Sequence, residues 1–253
     1  MNQQPSEYGL RLKLIPLLVV IAMGVGIPYL GAWLANLSAE WLHTPDRGTT
    51  NVTIGWLYIH HGLQFLLSLL AIVILKNWFV PADYGMHWPA RKTYFLPALL
   101  WGIFFAILMT VVDHAPQMLA HTRPDLGFTP TYPNVIGWMF FEWVFVGPTE
   151  EVPFRALLVT YLIATMPGKL RLGRYEMSWA GVLVAMIFAL LHATNFATRP
   201  WPQALGQQIY AFALGVLYAY WLEKSGSIVA ATIGHNVGDG IEFTIEYVWA
   251  AHL

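Results

Sequence analysis

Long apolar blocks alternate with short polar connections along this chain. The clearest are "LIPLLVVIAMGVGIPYLGAWLANL" (14–37) and "IGWLYIHHGLQFLLSLLAIVIL" (54–75). A helix needs about 20 mostly apolar residues to cross the hydrocarbon core of a bilayer, and both blocks meet that length. The pattern predicts spans near 14–35, 54–75, 94–112, 135–165, 178–193, 203–222, 227–238 and 240–252. The fourth block is too long for one straight crossing and contains Gly147-Pro148 and Pro153, which predicts a break or kink near Pro148. The seventh is short and can continue into the eighth through "GDG" (238–240). The expected fold is all-α: a polytopic membrane bundle of about eight segments, with no internal repeat.

Composition agrees with the pattern. Of 253 residues 57% are hydrophobic and only 11% charged, against roughly 25% charged in a soluble domain. A net charge of −1 gives no reason to expect a nucleic-acid partner; the expected surroundings are the lipid bilayer. The chain has no cysteine, which excludes disulfides, thiolate nucleophiles and cysteine metal ligands. A polar stretch, "MNQQPSEYGLRLK", precedes a long first span without a small-residue cleavage site, so that span is expected to be a retained helix.

Charge in the connections supplies an orientation. With a cytoplasmic N-terminus, the inner segments hold Arg11, Lys13, Lys76, Arg91, Lys92, Lys169, Arg171, Arg174 and Lys224, and the outer loops Arg47, Arg123 and Arg199. This obeys the positive-inside rule, and the alternation holds only if the 135–165 block crosses once. Trp56, Trp78, Trp88, Tyr94, Trp101 and Trp221 fall near expected span ends, where aromatic belts form.

Ionisable residues inside spans are costly and by default point to function. Three clusters stand out: Glu150, Glu151 and Arg155 in "TEEVPFR"; His192 in "FALLHATNF"; and His235 with Asp239 in "IGHNVGDG". Glu151 and Arg155 lie i and i+4 and can pair on one face. Glu150 sits about 100° round the helix and can face a cavity instead. Thr149 reads as the N-cap of a helix that starts at the Gly-Pro pair, with both glutamates in its first turn. His192 shares a face with Phe188, and Asp239 at i+4 can orient the His235 ring. The adjacent His60 and His61 read as core residues. The combination suits a general base activating water, with imidazoles stabilising an oxyanion. It equally suits a metal site of two histidines and a carboxylate, and a transporter or ion pathway competes with both.

The motifs carry a resemblance. "EEVPFR" (150–155), "FALLH" (188–192) and "HNVGD" (235–239) match EExxxR, FxxxH and HxxxN/D in order. Over about 145–240 the chain resembles the CPBP family, which unites CAAX prenyl endopeptidases and bacterial Abi proteins. The resemblance implies helices around a membrane-embedded catalytic cavity and an intramembrane protease acting on a membrane-anchored protein or peptide. A bacterial inner membrane is the implied location. It divides the chain into variable N-terminal helices (1–113), an extracytoplasmic loop (114–134) and a catalytic core (135–253). Glu150 would be the general base, His192 would hold or polarise the water, and His235 with Asp239 would serve the oxyanion. Glu151, Arg155 and Phe188 would support the site. An ionised Asp239 cannot donate as the family's alternative Asn can, which shifts the oxyanion role towards His235. No cofactor is implied, with zinc as the alternative. A partner-binding protein of the same fold, as in bacteriocin immunity, is the other function the family allows.

Overall fold

The computed structural model describes residues 8–42, 54–90 and 92–252; Arg47 and Arg91 of the charge count lie outside them. Among the described residues there are seven helical runs: α1 (Leu14–Leu42), α2 (Ile54–Trp78), α3 (Phe95–Ala120), α4 (132–165), α5 (179–197), α6 (Trp201–Ser225) and α7 (Val229–His252). Helix α1, helix α2, helix α3 and helix α5 are long and apolar enough to cross a membrane by length and composition. Their outward faces carry exposed Leu18, Trp33, Leu66, Leu100, Phe104 and Leu190, side chains that only lipid covers favourably. The chain is a predominantly helical integral membrane protein, with seven runs among the described residues in place of the eight expected.

The difference lies at "GDG". Residues 229–252 form one unbroken helix, because the glycines serve close packing. A side chain at Gly240 would collide with the Trp143 indole. Across the bundle, a side chain at Gly102 would meet the Gly234 carbonyl at 2.9 Å, so small residues let α3 lie directly along α7. Helix α5 pairs with α6 in the same way, Ala185 against Gly215.

Helix α4 sits in the middle and does not break at Pro148. It runs through two wide π turns, Phe141–Phe145 and Val152–Val159, flanking an α-helical Val146–Glu151. The Val146 amide donates to the Phe141 carbonyl five residues back. Widened turns accommodate prolines that an i to i−4 ladder would expel. Thr149 is accordingly no N-cap; its hydroxyl bonds back to the Phe145 and Val146 carbonyls at 2.9 Å. From Val152 to Leu162 every residue is buried.

Three further expectations change. Helix α3 extends to Ala120 and α4 begins at Tyr132, so the 114–134 connection contracts to 121–131. Residues 169–178 form a small antiparallel hairpin, β1 (Lys169–Leu172) and β2 (Tyr175–Ser178), turning at Gly173 with φ +60°. Trp221 is 2% exposed in the core and belongs to no belt.

One end of the bundle gathers the 8–13 strap, the 79–94 connection, the hairpin and the α6–α7 turn. The Gly9 amide donates to Lys169, the Ile228 amide to Gly85, and the Ser178 amide to the Glu223 carboxylate. Lys92, Lys169, Arg171, Arg174 and Lys224 cluster at this end, and the 121–131 and 198–200 connections lie at the other. If each of the seven runs crosses once and the basic end is cytoplasmic, a reporter fused at 173 is expected in the cytoplasm and one fused after 252 outside. Reporters found on the same side of the membrane would refute the single α7 crossing.

Candidate active site

Glu151 is fully buried, at 0% exposure, and one oxygen serves two partners. Its Oε1 accepts from His235 Nδ1 at 2.8 Å and lies 3.1 Å from Arg155 Nη1. The i, i+4 pair therefore also reaches across to α7. Arg155, 1% exposed, is further held between two rings, its guanidinium carbon 4.6 Å from the centre of Phe188 and 5.3 Å from Tyr218, a cation–π arrangement that compensates lost water.

His235 is fixed on every side. Its Nε2 lies 3.2 Å from Asp239 Oδ2, one turn on in α7, and its ring stacks on Tyr218 at 5.9 Å. The next residue, Asn236, accepts the Gly147 amide at 2.8 Å. A side chain at Gly147 would occupy the Asn236 amide, so the glycine allows α7 to dock on the α-helical segment of α4.

Glu150 points elsewhere. Its carboxylate is 17% exposed, 3.7 Å from His235 Nε2 and 3.8 Å from His61 Nδ1. Both distances exceed a direct hydrogen bond. Two cavities meet here, one of about 730 Å³ and one of about 280 Å³, and Glu150, Phe188 and His192 line both. The short α-helical segment thus turns adjacent glutamates apart, one into the packed core and the other into open space.

His192 begins the tight final turn of α5. Its Nδ1 lies 3.0 Å from the Phe188 carbonyl; a carbonyl only accepts, so Nδ1 carries the proton and Nε2 keeps a lone pair. Phe188 ties the cluster together, edge-on to Phe154, His192 and His235 at 4.9, 5.2 and 6.5 Å.

All seven residues selected from sequence therefore converge on one place, the roles assigned to them being a separate matter. Two were passed over. His61, expected to be core, touches the Thr149 hydroxyl at 3.3 Å as well as approaching Glu150. Its place within an apolar span was the available signal. Tyr218 carried no signal beyond being aromatic. Asp113, Glu142, Glu242 and Glu246 also line the larger cavity.

For zinc, the donor set fits poorly. Both nitrogens of His235 already face carboxylates, and among the described residues no three histidine, aspartate or glutamate side chains form a metal-holding group.

Residues 132–241 match the family model described as type II CAAX prenyl endopeptidase Rce1-like. Over these residues the chain is similar to the Rce1-like family. The match takes in all three motifs and starts with α4, leaving α1, α2 and α3 outside it. No curated protein and no solved structure matches the chain.

Removing the Glu151 charge would strand Arg155. Loss of one partner from a buried ion pair costs about 3–5 kcal/mol, so Glu151→Gln is expected to lower both the monodisperse yield and the melting temperature in detergent. Glu150→Gln should leave both near wild type. Normal stability of Glu151→Gln would show that the pair does not hold the fold.

Proposed function

We propose that the chain is an intramembrane endopeptidase in which Glu150 activates the attacking water. The observation that carries this reading is the division between the glutamates. Glu151 is sealed by Arg155 and His235, whereas Glu150 stands where two cavities join, with two imidazoles just beyond hydrogen-bond distance. A carboxylate so placed has room for water and a carbonyl beside it.

In this mechanism Glu150 takes one proton from water as the oxygen bonds to the scissile carbonyl carbon. The carbonyl oxygen becomes an oxyanion, stabilised by the Nε2–H of His235, which Asp239 then shares with it. His192, through its Nε2 lone pair, and His61 hold the water. As the carbon–nitrogen bond breaks, Glu150 returns its proton to the departing amine, the new carboxylic acid gives its own proton to that amine, and a carboxylate and an ammonium leave. Asp239 and Tyr218 keep the His235 ring in register. The substrate is a membrane-anchored protein or peptide, and membrane-peptide proteomics of cells carrying wild type or Glu150→Gln would identify it.

With that substrate, Glu150→Gln should keep binding while turnover falls by about 10²–10⁴, the usual worth of general-base catalysis. His61→Ala should lose about 10². Cells with Glu150→Gln that match wild type in both peptide pattern and phenotype would favour a partner-binding role instead.

A metal-bound nucleophile makes a different prediction. Under the glutamate mechanism, activity survives prolonged dialysis against a strong chelator. Activity lost with one tightly held zinc per chain, and regained when zinc is returned, would overturn that mechanism.

A further inference from the structure

The larger cavity continues past Glu150 along α7 to the end of the bundle away from the hairpin, where the 121–131 connection and the 198–200 turn border it. Its outer part is acidic, with Asp113, Glu142, Glu242 and Glu246 on its wall. The nearby basic side chains are already engaged: Arg199 with Asp113 at 3.0 Å and His114 with Glu246 at 2.6 Å. Among the described residues, Glu142 and Glu242 enter no hydrogen bond and no ion pair. The Asp113 side chain is only 10% exposed, and its Oδ1 is buried without a partner.

A second feature of different chemistry lines the same space. Phe128, Trp138 and Phe243 stack as a triad, with centroids 5.4 and 6.1 Å apart and planes within 23°. Aromatic faces beside carboxylates lacking counter-ions suit one ligand chemistry. The aliphatic stem and cationic head of lysine or arginine lie on the rings, and the charge reaches the acids. An anionic or purely apolar group would leave Glu142 and Glu242 uncompensated.

We propose that this vestibule of Glu142, Glu242 and the Phe128–Trp138–Phe243 wall binds a lysine or arginine side chain of the substrate protein, near the bond that is cut. The inference rests on the protease reading for the identity of the ligand as substrate. The vestibule opens at the end remote from the basic hairpin, so with positive-inside orientation the basic residue is presented from the extracytoplasmic side.

The test uses the purified full chain in detergent and two fluorescein-labelled peptides, Gly-Lys-Lys-Gly and its twin with both lysines acetylated, followed by anisotropy. At low salt the lysine peptide should bind at least about tenfold tighter, the worth of one charge-assisted contact, and the gap should shrink as salt rises. Glu142→Gln with Glu242→Gln should close the gap. Should that double variant not fold, Phe128→Ala, in the connection outside the helices, should narrow it. Equal binding of the twins, or a gap indifferent to these substitutions, overturns the proposal. Cleavage of lysine and acetyl-lysine versions of the identified substrate separates the two readings. Cleavage indifferent to acetylation, with no binding gap, leaves the protease and removes the vestibule. A binding gap with no cleavage of any substrate does the reverse.

Discussion

A carboxylate without water is the constraint from which this architecture follows. Glu151 sits at 0% exposure, where an uncompensated charge would destabilise the fold by several kcal/mol. Compensation comes from Arg155 on its own helix and His235 on α7. Arg155 in turn needs the rings of Phe188 and Tyr218, which come from α5 and α6. One buried charge therefore fixes the relative positions of four helices, and the catalytic candidates other than His61, which is on α2, are attached to those same helices. Stability and site geometry have a common origin here.

The π turns of α4 make the second requirement possible. Adjacent residues in a helix differ by about 100°, enough to send Glu150 and Glu151 in different directions only if the segment between them and their surroundings is held in register. Wide turns on both sides of Val146–Glu151 absorb Pro148 and Pro153 without ending the helix. The Gly147–Asn236 contact pins that segment to α7. Wide turns of this kind recur at functional sites because they redirect side chains without breaking the backbone.

Much of the site was legible because charge is rare in apolar spans: Glu150, Glu151, Arg155, His192, His235 and Asp239 each stand out against their neighbours, and spacing predicted the pairs. What spacing cannot give is contact between helices. His61 looked like core because its partners, Thr149 and Glu150, lie on α4. The link from Glu151 to His235 spans 84 positions. Pro148 was expected to break or kink the helix because the expectation assumed an ordinary i to i−4 ladder, and the short seventh segment runs into the eighth through "GDG", where Gly240 serves as a packing face. The hairpin's alternating "KLRL" and "YEMS" around Gly173-Arg174 was a readable strand signal, hidden by its shortness.

The central claim is that Glu150 acts on water and not on the peptide itself. It is tested most directly by a single turnover in ¹⁸O-water with the identified substrate, followed by mass spectrometry of both product and enzyme. Water activation places one ¹⁸O in the new carboxylate of the product at the first turnover and none in Glu150. An unlabelled first product, with ¹⁸O appearing in the Glu150 side chain, would mean that the carboxylate attacks the carbonyl and would contradict the account.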